Sequence, residues 1–186
     1  DAAAVASAFA RAKYRSRLTV TSQRLVGNPM EPRACTVAFD AKSETYTVHT
    51  PTQGMTGIRN ALAQIAGVPV EKVRIVAQDV GGSFGIRSPA YSEHLVLMVA
   101  AKRFGRPVKW VGSRTESFVS DNQGRGLALT GELAIDADGH FLAIKFDDIA
   151  NIGAYATGFG AWIATRNLTI TMGGVYRIPA MFATSR

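Results

Sequence analysis

Apolar and polar residues follow strand and helix patterns along the first third of the chain. Weak alternation predicts a strand over 15–25. Two β-rich runs, 35–39 and 45–50, flank a short polar segment and predict a hairpin. Apolar residues then recur at helical spacing over 58–66, and Gly67 follows where a helix end favours glycine.

The middle of the chain continues the alternation of strands and helices. An apolar run over 73–77 predicts a strand, and a glycine-rich loop follows it. The next helix is predicted to begin at Ser88, with Pro89 in its first turn, and to end at Gly105. It is nearly all apolar over 95–101, so we expect deep burial there.

The last third predicts a short helix and a long hairpin. A strand is expected over 108–111, and a capping-box pattern from Ser113 predicts the start of a helix. Two further strands, 127–135 and 141–149, flank an Asp-Gly pair that favours a tight turn.

These elements predict an α+β fold: a two-layer helix/sheet lobe built from strand–helix–strand units, with a long C-terminal β-hairpin. We expect one fragment over 1–186, with a poorly structured lead-in over 1–14. A strand/helix core with the loops discussed below covers 15–111, and a helical turn and the hairpin cover 112–186. The chain starts without Met and ends without a helix cap or polar tail, so we expect a piece of a longer polypeptide.

Two loops stand out as candidates for chemistry. Gln53 follows one predicted strand, and the run Gly81-Gly82-Ser83-Phe84-Gly85 follows the next. If the two strands are parallel neighbours, both loops leave the same edge of the sheet. Glycines permit close approach to a ligand, and successive N–H groups can form an anion-binding nest. A plain strand-to-helix turn is the alternative, and Phe84 is expected to pack inward and fix the loop.

Composition narrows the function classes. The chain has 21 lysine and arginine residues and 14 acidic residues, which gives a net charge of +7. Nucleic-acid binding needs a continuous basic stripe with stacking aromatic residues, and the sequence has neither, so this function is not predicted. The sequence contains no run of 18 apolar residues, so no membrane span is predicted. Cys35 is the only cysteine, which excludes an internal disulfide and an iron–sulfur or structural zinc site within this chain. Since nothing argues for secretion, we expect a cytoplasmic protein.

Two alternative functions come from the residues themselves. The loop matches the GxSxG pattern with Ser83 as nucleophile, which would make the protein a serine hydrolase. However, the predicted helix starts late for a nucleophile elbow, and His140 is the only histidine late in the chain. A non-catalytic binding or assembly module that uses the basic surface is the second alternative.

An ordered set of motifs resembles one enzyme family. Met-Glu-Pro-Arg at 30–33, Thr-Gln at 52–53, the loop at 80–85, Gly-Arg-Pro-Val-Lys-Trp at 105–110 with Arg114 and Glu116, and Asn-Ile-Gly-Ala-Tyr at 151–155 occur in that family's order. The chain is similar to part of the molybdopterin-binding large subunit of the xanthine dehydrogenase, aldehyde oxidase and carbon monoxide dehydrogenase enzymes. The resemblance covers nearly the whole chain.

The resemblance implies roles for individual residues. The glycine-rich loop would surround the molybdenum centre, with the Phe84 N–H facing an oxygen on the metal, and Gln53 would hydrogen-bond a molybdenum oxygen. The implied cofactor-binding set is Gln53, Gly81, Gly82, Ser83, Phe84 and Gly85. Ser83 replaces a family glycine and would narrow the cofactor approach. Ser88 stands where purine-oxidising members carry Glu, which does not favour purine as substrate.

The resemblance also implies a reaction and partners. The cofactor is molybdopterin, with the cytosine dinucleotide form as one option, and the reaction is hydroxylation of an aldehyde, carbon monoxide or a heterocycle with water as the oxygen source. The catalytic base is a Glu expected beyond Arg186, so the isolated fragment is expected to be inactive. The implied partners are the remainder of the large subunit and subunits or domains that carry iron–sulfur clusters and flavin.

Overall fold

The computed structural model describes residues 1–156 and 158–186, which form both helices and strands. The helices are α1 (Ala2–Arg11), α2 (Met55–Ala66), α3 (Ser92–Phe104), α4 (Arg114–Ser120), α5 (Gly160–Trp162) and α6 (Leu168–Thr171), with 3-10 turns at Val70–Lys72 and Gly153–Tyr155 and a π-helical turn at Ile163–Asn167. The strands are β1 (Tyr14–Val26), β2 (Ala34–Asp40), β3 (Thr45–His49), β4 (Val73–Val76), β5 (Val108–Val111), β6 (Gln123–Ile135), β7 (Phe141–Ala150) and β8 (Ala180–Ser185). The predicted α+β class is confirmed.

The chain forms two compact units, each with one four-stranded sheet. Val26–Gln123 forms one unit, and Asp1–Leu25 joins Gly124–Arg186 in the other. The boundaries expected after residues 14 and 111 therefore differ from those of the structure. Among the described residues, every helix is too short or too polar to traverse a lipid bilayer.

The sheet of the Val26–Gln123 unit has the strand order β4-β3-β2-β5. Strand β3 pairs parallel with β4, with Val48 opposite Ile75, and antiparallel with β2. Because β2 also pairs antiparallel with β5, the strands β3, β4 and β5 all run in one direction. The predicted strand–helix–strand unit is thus realised as β3–α2–β4.

This topology brings several loops to one edge of the sheet, namely the end where the parallel strands β3, β4 and β5 finish. The chain leaves β3, β4 and β5 at that edge, and it enters the reversed strand β2 there as well. The segments 27–33, 50–54 and 81–88, here called the loop cluster, consequently lie at the same end of the sheet. The expectation that Gln53 and the glycine-rich loop share an edge is confirmed.

One face of this sheet is covered by two helices. Alternation along β2 and β3 buries Val37 and Val48, and α2 contributes Ile58 and Leu62 to the same core. Each such side chain stabilises the fold by about 1.5–3 kcal/mol. Cys35 lies in this core, where burial raises the pKa of its thiol to about 12, so it stays protonated and unreactive.

Helix α3 begins later than its sequence predicts. Its first residue is Ser92 and its N-cap is Tyr91, so the prediction of a start at Ser88 is wrong. The residues before it turn within the loop cluster, where the Ser88 N–H donates to the Gly85 carbonyl at 3.3 Å. The end at Gly105 is confirmed, with φ at 62°. Deep burial over 95–101 is confirmed only for the face that meets the sheet, since Val96 and Val99 are exposed.

The other unit carries the long hairpin. Its sheet has the order β1-β6-β7-β8, with β6 and β7 antiparallel as predicted. Helix α1 packs on this sheet through Val5 and Ala8, against Ala134 and Ala143. The prediction of a poorly structured lead-in over 1–14 is wrong, because alanine is the best helix former and the Asp1 carboxylate accepts from the first free N–H groups.

A chain of hydrogen bonds through His94 connects α3 to the end of β3. The Tyr91 N–H donates to His94 Nδ1 at 3.0 Å, so that nitrogen carries no proton. His94 Nε2 therefore donates to Thr50 Oγ1 at 3.2 Å, and Thr50 donates in turn to the Ala34 carbonyl at 3.0 Å. The chain requires a neutral imidazole, and burial lowers the pKa of His94 accordingly.

His94→Gln should weaken the pH dependence of stability. Because the folded state depresses the pKa of His94, its contribution is complete above the unfolded pKa of about 6.5 and is lost as pH falls through the folded-state pKa. Urea unfolding of the chain between pH 7.5 and pH 5 (about the range needed) measures this slope. The exposed His49→Gln serves as the control, because it removes a histidine of the same unit without disturbing the hydrogen bonds of His94. Equal slopes for His94→Gln and wild type would contradict the assignment.

Candidate functional site

Glu31 and Arg87 hold two segments of the loop cluster together. The Gly81 N–H donates to Glu31 Oε2 at 2.8 Å, and the Glu31 N–H donates to the Gly81 carbonyl at 3.2 Å. Arg87 Nη1 lies 3.0 Å from the same carboxylate oxygen, and Arg87 Nη2 donates to the carbonyls of Glu31 and Pro32. Burial lowers the pKa of Arg87 and Glu31 opposes that shift, and a guanidinium stays charged in either case.

The same arginine also binds the third segment through its backbone. The carbonyl of Arg87 accepts from the Gln53 N–H at 3.3 Å and from Thr52 Oγ1 at 3.0 Å. Arg87 is buried, so these bonds are shielded from competing water. One residue therefore joins all three segments of the loop cluster.

The Gln53 side chain has a defined orientation. Its Oε1 accepts from the Gly85 N–H at 2.9 Å and from the Ser88 hydroxyl at 3.0 Å. These two donors identify the oxygen end of the amide, since an NH₂ group cannot accept. The NH₂ end donates to none of the described residues, and Gln53 is exposed. It is therefore a hydrogen-bond donor available to a ligand.

Phe84 is strained and faces outward. Its φ is 51°, in the left-handed region that bulky side chains avoid, and its side chain is 74% exposed. The prediction that Phe84 packs inward is wrong. Ile86 is the buried apolar side chain of this loop instead, being 3% exposed, and a Cβ on Gly27 would lie only 3.1 Å from its Cγ2. The Phe84 N–H, like the Gln53 NH₂, is bonded to none of the described residues.

Gly81 and Gly82 permit close packing that other residues would block. A Cβ on Gly81 would lie 2.6 Å from Glu31 Cβ, and a Cβ on Gly82 would lie 2.9 Å from Pro29 Cβ. Gly82 also has φ at 101°, which L side chains rarely adopt. The glycine content of the loop thus serves backbone geometry at specific positions, as the sequence predicts.

Ser83 has none of the partners that a catalytic serine needs. Its hydroxyl is buried and makes no hydrogen bond to any residue that the structure describes. A nucleophilic serine requires a base within hydrogen-bond reach, and His94 in the same unit is bonded to Thr50 instead. The serine hydrolase alternative therefore finds no support.

Arg33 is the last residue of the Met-Glu-Pro-Arg motif and, although the sequence predicted no role for it, it anchors the loop cluster through a buried network. Arg33 donates to Asp121 at 2.5 Å, to Ser120 at 2.7 Å and to Glu93 at 3.1 Å, and its guanidinium stacks 3.8 Å from the Tyr91 ring centroid. Burial alone would lower the pKa of Arg33, but the two carboxylates outweigh it and raise that pKa. This network fixes the chain where it enters β2.

Arg114 completes the set of motif residues around the loop cluster. Its guanidinium donates to the Met30 carbonyl at 2.8 Å and to Asn28 Oδ1. Glu116 caps the same helix by accepting from the Ser113 N–H at 2.6 Å, and hydrogen bonds from the Ser113 backbone and side chain lower the pKa of Glu116. The motifs at 30–33, 52–53, 80–85 and 114–116, although distant in sequence, therefore meet in one constellation.

The site offers hydrogen-bond donors and not metal ligands. The donors without a partner among the described residues include the Phe84 N–H and the Gln53 NH₂, which suit oxygen atoms or an anionic group. Among the described residues, the one cluster of three His, Cys, Asp or Glu side chains close enough to share a metal is Asp136, Asp138 and His140, at the β6–β7 turn.

The chain matches one family model and several known proteins. The model of the molybdopterin cofactor-binding domain matches residues 2–186. A subunit gamma of the 6-hydroxypseudooxynicotine dehydrogenase complex of Paenarthrobacter nicotinovorans is 34% identical over 181 residues, which are 95% of this chain and 22% of that protein. The carbon monoxide dehydrogenase large chain of Hydrogenophaga pseudoflava is 32% identical over 155 residues, 83% of this chain and 19% of that protein.

A solved structure shows the same fold. Quinoline 2-oxidoreductase from Pseudomonas putida 86 superimposes with a TM-score of 0.86 and 26% identity, covering 97% of this chain and 24% of that chain. This chain therefore spans about a fifth of the length of the curated relatives it matches. The resemblance found in the motifs is confirmed, and the chain belongs to the molybdopterin cofactor-binding domain family.

Proposed function

We propose that this chain forms the part of a molybdenum hydroxylase large subunit where the loop cluster holds molybdopterin. The observation that carries the proposal is that the Gln53 loop and the glycine-rich loop meet at one end of the sheet, fixed by the buried Arg87, and that each has a donor without a partner among the described residues. The proposed binding residues are Gln53, Gly81, Gly82, Ser83, Phe84 and Gly85.

The residues of the loop cluster suit that group. Molybdopterin presents oxygens on its metal and phosphate, and the Phe84 N–H and the Gln53 NH₂ are donors without a partner among the described residues. Because Gly81 and Gly82 have no Cβ, their backbone packs closely against Glu31 and Pro29. When bound, the cofactor supplies two-electron redox chemistry at its metal. The residues of this chain bind it, orient it and hold the surrounding hydrogen bonds.

The rest of the activity is part of the same proposal. The substrate is an aldehyde, carbon monoxide or a heterocycle, supported by relatives whose names refer to 6-hydroxypseudooxynicotine, carbon monoxide and quinoline. Electrons leave through iron–sulfur and flavin subunits, since Cys35 is the only cysteine here and is buried. The proposed general base lies elsewhere in the large subunit, so this chain alone should not catalyse turnover. The proposed location of the protein is the cytoplasm.

Gln53→Glu should lower cofactor retention in the complete large subunit. The carboxylate still accepts from Gly85 and Ser88, so the loop keeps its contacts, but the donor end is lost and a negative charge takes its place. We expect about a tenfold or larger loss of molybdenum and pterin content, the value of one hydrogen bond to a charged group. Metal analysis and the fluorescence of the oxidised pterin measure it.

Gln64→Glu is the matched control for this experiment. Gln64 lies exposed on α2 and should tolerate the same change of charge without loss of cofactor. A Gln53→Glu subunit that keeps the wild-type molybdenum content would contradict the proposed role of Gln53.

Gly82→Ala should damage the loop cluster, whereas Gly57→Ala should not. At Gly82 the added Cβ meets Pro29 and an unfavourable φ, at a cost of about 1–3 kcal/mol. Gly57 lies in α2 with open space around it, where alanine favours the helix. Unfolding midpoints and cofactor content of both variants provide the test. Equal behaviour of the two variants would show that the loop tolerates a side chain at Gly82.

A further inference from the structure

We propose that Ser88 is a positioning residue that holds the Gln53 amide with its NH₂ end toward the bound cofactor. The inference rests on the proposed function, because it assigns Ser88 to the same site. Its basis is the pair of donors, the Gly85 N–H at 2.9 Å and the Ser88 hydroxyl at 3.0 Å, that meet on one oxygen of Gln53.

Two donors on one oxygen fix both the flip and the direction of the amide. With the amide turned over, its NH₂ would face the Gly85 N–H, and two donors cannot bond to each other. The Gly85 N–H alone would select the flip but would leave the amide free to swing about a single bond. The second bond, from Ser88, removes that freedom, so the direction of the NH₂ depends on the serine hydroxyl.

Ser88 itself is held in place for this role. Its N–H donates to the Gly85 carbonyl at 3.3 Å, and Pro89 restricts its backbone. Helix α3 begins only at Ser92, so the Ser88 hydroxyl does not cap the helix and its proton is used for Gln53. Ser88 is half-buried and its backbone is held in place, so its hydroxyl can fix the side-chain amide of the exposed Gln53.

The test uses the complete large subunit in its complex, purified with cofactor. Four variants are compared with wild type: Ser88→Ala, Ser88→Thr, Gln53→Ala and the double variant Ser88→Ala with Gln53→Ala. The readout is the first-order rate of pterin release, followed by the fluorescence of the released pterin. Ser43→Ala, at the β2–β3 turn, is the matched control, and unfolding midpoints confirm that each variant is folded.

We expect Ser88→Ala to release the pterin about fivefold faster, the equivalent of one ordinary hydrogen bond. Ser88→Thr keeps the hydroxyl and should stay near the wild-type rate, as should Ser43→Ala. Gln53→Ala should release the pterin at least as fast as Ser88→Ala. Adding Ser88→Ala to Gln53→Ala should change nothing further, because the hydroxyl acts only through the amide.

Three results would overturn the inference: an unchanged rate in Ser88→Ala, equal damage from Ser88→Thr, or an undiminished Ser88→Ala effect in the Gln53→Ala background. In these cases a fast release from Gln53→Ala leaves the proposed function standing. An unchanged release rate in Gln53→Ala would overturn the proposed role of Gln53 as well as this inference. A wild-type complex that contains no pterin would overturn the proposed function itself.

Discussion

The buried guanidinium of Arg87 is the interaction on which the loop cluster depends. A buried charge must be paired, and Arg87 finds its partners in the Glu31 carboxylate and in two backbone carbonyls. Because carbonyls are fixed in the main chain, this pairing sets the course of the 27–33 segment itself. The Arg87 carbonyl then fixes the backbone at Gln53, so three segments that are far apart in sequence share one support.

That support allows the site to hold a strained conformation. Phe84 has φ at 51°, and such a conformation persists where the surrounding structure over-determines it. Here the surroundings are the Glu31 contacts on one side of the loop and buried Ile86 on the other. The result is a loop whose Phe84 N–H is bonded to none of the described residues, which leaves it for the proposed cofactor.

Local patterns predicted the parts of the fold that local physics decides. Alternation, glycine caps and the Asp-Gly turn identified β1–β3, α2 and the hairpin, and the parallel order of β3 and β4 correctly placed Gln53 beside the glycine-rich loop. The errors arose where distant contacts decide. The outward turn of Phe84 follows from loop geometry, and the Arg33 network joins residues about ninety positions apart, which no local pattern reveals.

A high-resolution structure of the full large subunit with its cofactor would show whether the loop cluster binds that cofactor. We expect Gln53 Nε2 and the Phe84 backbone nitrogen both to lie within hydrogen-bond distance, about 3 Å, of the same bound group. A cofactor that contacts neither atom and lies away from the 27–33, 50–54 and 81–88 segments would contradict this expectation.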